Sequence, residues 1–201
     1  VRKVYQEIAF DLLIGQPGQT VSSMEKTCDG IIKLKPTLVQ LSLMAYKPWV
    51  SKYQIRMVEE GPLPDFLERK EMMEVIHKQL SEAGYIRTGF DCYSLPDSPM
   101  TKAYEDGEAH YGASGHQPGG RVNFIAVGSS SMSNLGNDYY VQNFYDIPAY
   151  KKALDKNQLP SFRGLRLNED DKIRQHATQQ IRSYFKIDYK NFHEQFGINA
   201  K

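Results

Sequence analysis

Cysteine is scarce in this sequence, and neither sign of charge is in excess. The 201 residues include two cysteines, too few for a disulfide scaffold or a four-thiolate metal site. No run of about 18 apolar residues occurs, so we expect no membrane-spanning helix. The 25 Lys and Arg against 24 Asp and Glu leave a net charge of +1, which provides no bulk attraction to nucleic acid or to an anionic membrane. We therefore expect neither of these two partners.

The first residues and the two thiols indicate where the protein works. No apolar run of the signal-peptide kind follows the N-terminus. Cys28 and Cys92 lie far apart and match no disulfide spacing, which favours a reducing compartment. We therefore expect a cytoplasmic protein, and its hydrophobic content of 40% is enough for a buried core.

The first half of the chain alternates apolar runs with helical patterns. Residues 8–14 form a short, mostly apolar run that ends at a Gly-Gln-Pro-Gly turn, and they predict a strand buried on both faces. A helix follows, with Thr20 or Ser22 as its cap, and residues 38–45 predict a second strand. A strand, a helix and a strand joined by short links form a βαβ unit, so a parallel sheet is expected.

The pattern then repeats and changes character. Residues 65–82 predict a helix capped by Asp65, residues 85–93 a third strand, residues 110–121 a glycine-rich loop and residues 122–127 a fourth strand. Helices are predicted over 147–156 and from 169 to about 185, the second capped by Asn168. These elements predict an α/β fold with a small, mostly helical C-terminal appendage.

Asp11 is the most informative single residue. A carboxylate within an apolar strand is costly unless it has a partner, and ligands of parallel α/β folds bind near the carboxyl ends of the strands. Asp11 is therefore either a contact to a ligand hydroxyl or amine, or a structural carboxylate paired with backbone or with an arginine. The sequence leaves both possibilities open.

Other polar and glycine-rich segments are weaker candidates. The turn at 15–18 followed by Thr20 has the composition of an anion cradle, but it matches no phosphate-binding spacing, and an ordinary strand-to-helix turn is favoured. His110 and His116 are a pair without a nearby acid or thiol, so a metal site is not favoured. The serine run that follows Gly128 is typical of a close backbone approach to a ligand.

Several stretches together resemble the oxygen-independent coproporphyrinogen III oxidases, which are radical S-adenosylmethionine enzymes of haem synthesis. Each stretch is moderately specific, and their order along nearly the whole chain is highly specific. They are FDLLIGQPGQT (10–20), LSLMAY (41–46), LSEAGY (80–85), VGSSSMS (127–133), YVQN (140–143), RG (163–164), NEDDKIR (168–174) and FKIDY (185–189).

The resemblance implies a fold, a reaction and a set of cofactor contacts. Residues 1–133 would be the later βα units of a partial TIM-like (β/α) barrel, and residues 134–201 a helical cap region. The parent enzyme would use S-adenosyl-L-methionine and a [4Fe–4S] cluster to convert coproporphyrinogen III to protoporphyrinogen IX by oxidative decarboxylation of two propionates. By similarity, Asp11 contacts the ribose of the first S-adenosylmethionine, Ala45 contacts the same cofactor through its backbone, and Met132 contacts a second S-adenosylmethionine.

Two departures from the family pattern limit what the resemblance implies. The Cys-x-x-x-Cys-x-x-Cys cluster loop is absent, so no metal ligand is assigned and the chain alone is expected to be inactive. Ser114 stands where the family has a glutamine that contacts the second cofactor, which leaves the exact tetrapyrrole substrate open.

Two alternatives therefore remain beside the oxidase. One is a haem-directed radical methyltransferase or ring-opening enzyme, and the other is a haem-binding carrier with His110 and His116 as candidate axial ligands. The expected partner is a porphyrinogen substrate, and a monomer is expected.

Overall fold

The structure is a computed structural model, and it describes residues 4–50, 52–59, 61–112, 115–119, 123–136 and 138–197. The chain divides into two compact units, Val1–Gly107 and Glu108–Lys201. The predicted boundary between residues 133 and 134 falls within a strand of the second unit, and the division of the parent protein at that point stays a prediction.

The first unit is a four-stranded sheet with helices. Its elements are β1 (Ala9–Ile14), α1 (Val21–Leu34), β2 (Leu38–Leu43), α2 (Tyr53–Met57), α3 (Phe66–Glu82), β3 (Ile86–Gly89), β4 (Cys92–Ser94) and α4 (Pro99–Glu105). The strand order is β1-β2-β4-β3. Strands β1 and β2 are parallel, as the βαβ pattern predicts, and the other neighbours are antiparallel.

Helices α1 and α3 begin at capping boxes. The side chain of Thr20 accepts a hydrogen bond from the backbone of Ser23, whose hydroxyl in turn accepts from the backbone of Thr20. Asp65 and Glu68 make the same reciprocal pair at the start of α3. These bonds satisfy backbone donors that the first turn of a helix leaves without partners.

The core of the first unit lies between one face of the sheet and these two helices. Strands β1, β2 and β4 contribute alternate residues, and each helix contributes one apolar stripe. The core includes Ile14, Met24, Cys28, Ile31, Val39, Leu41, Met72, Ile76, Leu80, Tyr85 and Tyr93.

Two strand predictions for this unit are wrong. Strand β1 is not buried on both faces: Phe10, Leu12 and Ile14 pack toward the core, whereas Asp11 and Leu13 are exposed. Residues 85–93 are not one strand but the β3–β4 hairpin, because the chain reverses between Gly89 and Cys92. The open face of β1 also carries apolar residues, so its sequence does not show the alternation of apolar and polar residues that is typical of a half-buried strand.

The second unit has two small sheets and three helices among its described residues. Its elements are β5 (His110–Gly112), β6 (Gly115–Gln117), β7 (Met132–Leu135), β8 (Tyr139–Asn143), α5 (Ile147–Asp155), β9 (Ser161–Arg166), α6 (Glu169–Tyr184) and α7 (Tyr189–Phe196). Strands β5 and β6 form a hairpin, and β7-β8-β9 form an antiparallel sheet. Helix α6 is capped by Asn168, as predicted.

Two predictions for this unit also need correction. The segment predicted as a loop over 110–121 contains the β5–β6 hairpin. Within the predicted fourth strand, residues 123–127 make a single bridge, from Phe124 to Asn134, and residue 122 lies outside the described residues. From residue 134 on, the chain contains the helices α5, α6 and α7, and the strands β8 and β9 lie before α6.

Within the described ranges, every helix is too short or too polar to cross a membrane.

Candidate functional site

Asp11 lies on the face of β1 that the helices of the first unit leave open. Its Cα is in register with Gln40 of the parallel strand β2, and its side chain is exposed. The carboxylate therefore points away from the helix-covered core, the placement required for a ligand contact. Its assignment to a cofactor ribose stays a prediction.

The turn after β1 offers no anion cradle. The backbone N–H groups of Gly15 and Gln16 both donate to Oε1 of Gln19, at 2.7 and 2.9 Å, and the N–H of Gly18 donates to the carbonyl of Pro62 at 3.0 Å. Gly15 has φ +91°, a left-handed conformation that favours glycine. The donors of this turn are thus used internally, which supports the ordinary strand-to-helix turn.

Ala45 is exposed just beyond the end of β2. Its carbonyl accepts a hydrogen bond from Nε2 of Gln54 at 3.0 Å, and Oε1 of the same glutamine accepts from the backbone N–H of Lys47. Because β1 and β2 are parallel, their carboxyl ends lie at the same edge of the sheet. Ala45 follows β2 at that edge, whereas Asp11 lies within β1, three residues before the strand ends.

Met132 lines a cavity of about 780 Å³ within the second unit. The register of the sheet places Met132, Gln142 and Arg163 side by side across β7, β8 and β9. The other lining residues come from β5, β8, β9 and α6: Tyr111, Gly112, Tyr140, Gly164, Leu165, Gln175, Thr178 and Gln179. This volume is typical of a small-molecule site.

Glutamine side chains hold the walls of this cavity together. Gln179 on α6 accepts from the backbone N–H of Tyr111 at 2.6 Å and donates to the carbonyl of Ala109 at 2.7 Å. Gln175, one turn earlier, donates to the Tyr140 hydroxyl at 2.6 Å. Helix α6 is thereby bonded both to the β5 segment and to strand β8.

The serine-rich segment before β7 is a turn fixed by its own contacts. Nδ2 of Asn143 donates to the carbonyl of Gly128 at 2.9 Å, and the Ser131 hydroxyl donates to the carbonyl of Val127 at 2.9 Å. Gly128 has φ +111°, so the turn itself requires glycine. The predicted approach to a ligand stays a prediction.

The thiols of the chain do not fit an iron–sulfur cluster. Burial, with a smaller contribution from nearby Asp29, raises the pKa of Cys28 from 9.0 to about 11. Burial also raises the pKa of Cys92 to about 12, against the opposing hydrogen bond from Thr88. In the part of the chain that the structure describes, no three His, Cys, Asp or Glu residues lie together in a way that could hold a metal ion. A cluster is held by several thiolates, and the chain offers two buried thiols with raised pKa values.

Two further candidates from the sequence have different outcomes. Ser114 lies outside the described residues. His116 is 1% exposed, and its Nε2 lies 3.2 Å from the carbonyl oxygen of Arg182. A buried imidazole held in this way does not present a nitrogen to an iron, which argues against an axial role for His116.

Gln142 and Arg163 belong to the motifs YVQN and RG, but the sequence alone predicts no role for either residue. Their pairing depends on the register of β8 against β9, which residue spacing does not reveal.

The comparisons with known proteins agree on one group. No model of a known protein family matches the chain. The chain is 34% identical to the oxygen-independent coproporphyrinogen III oxidase of Pseudomonas aeruginosa over 197 residues, which are 98% of the chain and 42% of that protein. It is 32% identical to the enzyme of the same description from Helicobacter pylori 26695, with the same two coverages.

A solved structure gives the same answer. Coproporphyrinogen III oxidase from Escherichia coli, described as a radical SAM enzyme, matches 98% of the chain and 45% of its own length, with a TM-score of 0.86 and 25% identity. The resemblance to the oxygen-independent coproporphyrinogen III oxidases is confirmed. The predicted α/β fold class is confirmed by the same match. The chain spans less than half the length of these oxidases.

Proposed function

We propose that the chain is part of a radical S-adenosylmethionine enzyme that oxidatively decarboxylates coproporphyrinogen III to protoporphyrinogen IX in anaerobic haem biosynthesis, and that the chain alone is inactive. The observation that carries the proposal is the match to coproporphyrinogen III oxidases over 98% of the chain in both sequence and structure. The porphyrinogen substrate, a cytoplasmic location and a monomeric state are parts of the same proposal.

The open face of β1 suits S-adenosylmethionine in one specific respect. The exposed Asp11 carboxylate has acceptor oxygens for the two ribose hydroxyls, and charge-assisted hydrogen bonds of this kind are strong. We assign Asp11 to that contact and the backbone of Ala45 to the same cofactor. Met132 and Ser114 are assigned to a second S-adenosylmethionine. When bound, the cofactor supplies the hydrogen-abstracting chemistry.

The cluster belongs elsewhere in this proposal. Because the two buried thiols do not fit it, its ligands are assigned to the part of the oxidases that extends beyond the chain. The residues described here contribute cofactor orientation and substrate binding.

A segment exchange tests the proposal directly. The chain replaces the matching segment of the Pseudomonas aeruginosa oxidase, and the product, here called the segment-exchange enzyme, is reconstituted with iron and sulfide and given coproporphyrinogen III, S-adenosylmethionine and reductant without oxygen. We expect the tetrapyrrole to lose carbon dioxide and two hydrogens from each of two propionates, as mass spectrometry would show.

Other results would contradict the oxidase assignment. A methylated or ring-opened tetrapyrrole indicates one of the related enzymes, and tight haem binding without turnover indicates a carrier. The unmodified Pseudomonas aeruginosa oxidase is the positive control. The visible absorbance of the cluster shows whether the segment-exchange enzyme has assembled, and an assembled enzyme that leaves coproporphyrinogen III unchanged counts against the proposal.

A further inference from the structure

The cavity of the second unit combines one cation with an apolar surface. Arg163 lies in the same cross-strand row as Met132, with Gln142 between them. Leu165 and Tyr111 also line the cavity. A ligand that fits these walls has an apolar body and an anionic group near Arg163.

Gln142 fixes the orientation of the arginine. Its Oε1 accepts from Nε of Arg163 at 2.8 Å, while its Nε2 donates to the carbonyl of Ser130 at 3.2 Å. The neutral amide thus holds one edge of the guanidinium, and the two terminal nitrogens stay available in a fork that suits a carboxylate.

Arg163 differs from two cations of helix α6 in having no carboxylate partner within the described residues. Lys172 lies 2.8 Å from a carboxylate oxygen of Asp138, and Arg174 lies 2.7 Å from one of Asp170. Within the described ranges, Arg163 has no ion pair of this kind, and its polar contact is the neutral Gln142. A bound anion would pair with this exposed guanidinium.

Tyr140 provides a second donor in the same cavity. Its hydroxyl oxygen accepts from Nε2 of Gln175 at 2.6 Å, which leaves the hydroxyl hydrogen to donate. A hydroxyl and a guanidinium together are suited to the oxygens of one carboxylate.

We infer that Arg163, positioned by Gln142, binds a carboxylate of the ligand that occupies this cavity. The identification of that ligand as a tetrapyrrole, through one of its propionates, rests on the proposed function. The proposed function also assigns Met132 of this cavity to a second S-adenosylmethionine, whose amino-acid carboxylate has the same chemistry, and the experiment distinguishes the two sources.

The test measures binding to the complete 201-residue chain. The probes are coproporphyrin III, its tetramethyl ester and S-adenosylmethionine, titrated by fluorescence quenching or calorimetry. We expect Arg163→Ala to weaken about tenfold the binding of whichever carboxylate probe occupies the cavity, coproporphyrin III or S-adenosylmethionine. Binding of the ester should not change, because its esterified propionates carry no charge. Gln142→Glu should weaken binding of the same carboxylate probe to a similar degree, because the new carboxylate would form an ion pair with Arg163.

Arg166→Ala is the matched control. Arg166 lies on the same strand but is opposite Tyr139, with its guanidinium 5.9 Å from the ring centre, and it does not line the cavity. We expect this variant to bind all three probes like the unmodified chain. Circular dichroism shows whether each variant is folded, and Arg163→Lys provides the conservative comparison by partly restoring the affinity.

The results with the different probes distinguish a failure of this inference from a failure of the proposed function. A loss of affinity for coproporphyrin III alone assigns Arg163 to a propionate, and a loss for S-adenosylmethionine alone assigns it to the amino-acid carboxylate. If coproporphyrin III does not bind while S-adenosylmethionine binds in an Arg163-dependent way, the carboxylate site stands and the tetrapyrrole assignment fails. If Arg163→Ala changes neither affinity, or if the unmodified chain binds neither carboxylate probe, the inference is overturned.

Discussion

The burial of individual side chains distinguishes residues with a structural role from residues that are available to a ligand. Cys28 and Cys92 are buried in the first unit, whereas Asp11 of the same unit is exposed on the open face of its strand. In the second unit, His116 is buried, whereas Arg163 faces a cavity. Burial thus assigns the thiols and this imidazole to the core and leaves the carboxylate and the guanidinium for binding.

The raised pKa values of the thiols predict low reactivity in the folded chain. At about pH 8 both thiols stay protonated, and the thiolate is the reactive form. We expect a thiol reagent to label neither cysteine until a denaturant unfolds the chain. Labelling of the native chain at the rate of a free thiol would contradict the burial described here.

The same shifts give the sign of a pH effect on stability. Below the ordinary pKa of 9.0, the thiols are protonated in both the folded and the unfolded chain. Stability therefore does not depend on the protonation of these thiols in that range. Above it, the unfolded chain releases protons that the folded chain retains up to a pKa of about 11 for Cys28 and about 12 for Cys92. Stability therefore falls as the pH rises through this alkaline range, and urea unfolding of the Cys28→Ala variant should show a shallower fall.

At the scale of elements, local chemistry was predictable and long-range pairing was not. The caps Asp65 and Asn168 were predicted correctly because a cap depends on residues three positions apart. The β3–β4 and β5–β6 hairpins were missed, since neither carries a two-residue turn signal such as Asn-Gly.

The candidate sites divide in the same way. Asp11 could be identified from sequence because a lone acid in an apolar strand is conspicuous, and the structure then places it on the open face. The roles of Gln142 and Gln179 could not, because each depends on a partner from another element.

Gln179 tests how the elements of the second unit are held together. Gln179→Leu leaves the N–H of Tyr111 and the carbonyl of Ala109 without their bonds to this side chain. Loss of bonds to part-buried backbone groups should lower the free energy of unfolding by about 1–3 kcal/mol. Gln175→Leu, which removes one bond to the Tyr140 hydroxyl, should cost less in the same urea titration. Equal stability of Gln179→Leu and the unmodified chain would show that α6 does not depend on this side chain.

At the scale of the whole molecule, the chain matches one part of the oxidases that it resembles. It spans 42% of the Pseudomonas aeruginosa oxidase, and its thiols do not fit the cluster. Its described residues place an acceptor carboxylate on the open face of a strand in one unit and a guanidinium at a cavity in the other. The order of predicted elements and the order of motifs were sufficient to predict the α/β fold class and the resemblance, because both are distributed over the whole chain.

The most direct test of the account measures carbon dioxide released by the segment-exchange enzyme from coproporphyrinogen III labelled at its propionate carboxyls. We predict labelled carbon dioxide, and we predict that Asp11→Ala raises the S-adenosylmethionine concentration needed for half-maximal release about tenfold or more, as expected for a lost charged hydrogen bond. Asp29→Ala, which removes an exposed carboxylate from α1, should leave that concentration unchanged. An assembled enzyme that releases no label, or one whose release is indifferent to Asp11→Ala, would contradict the account.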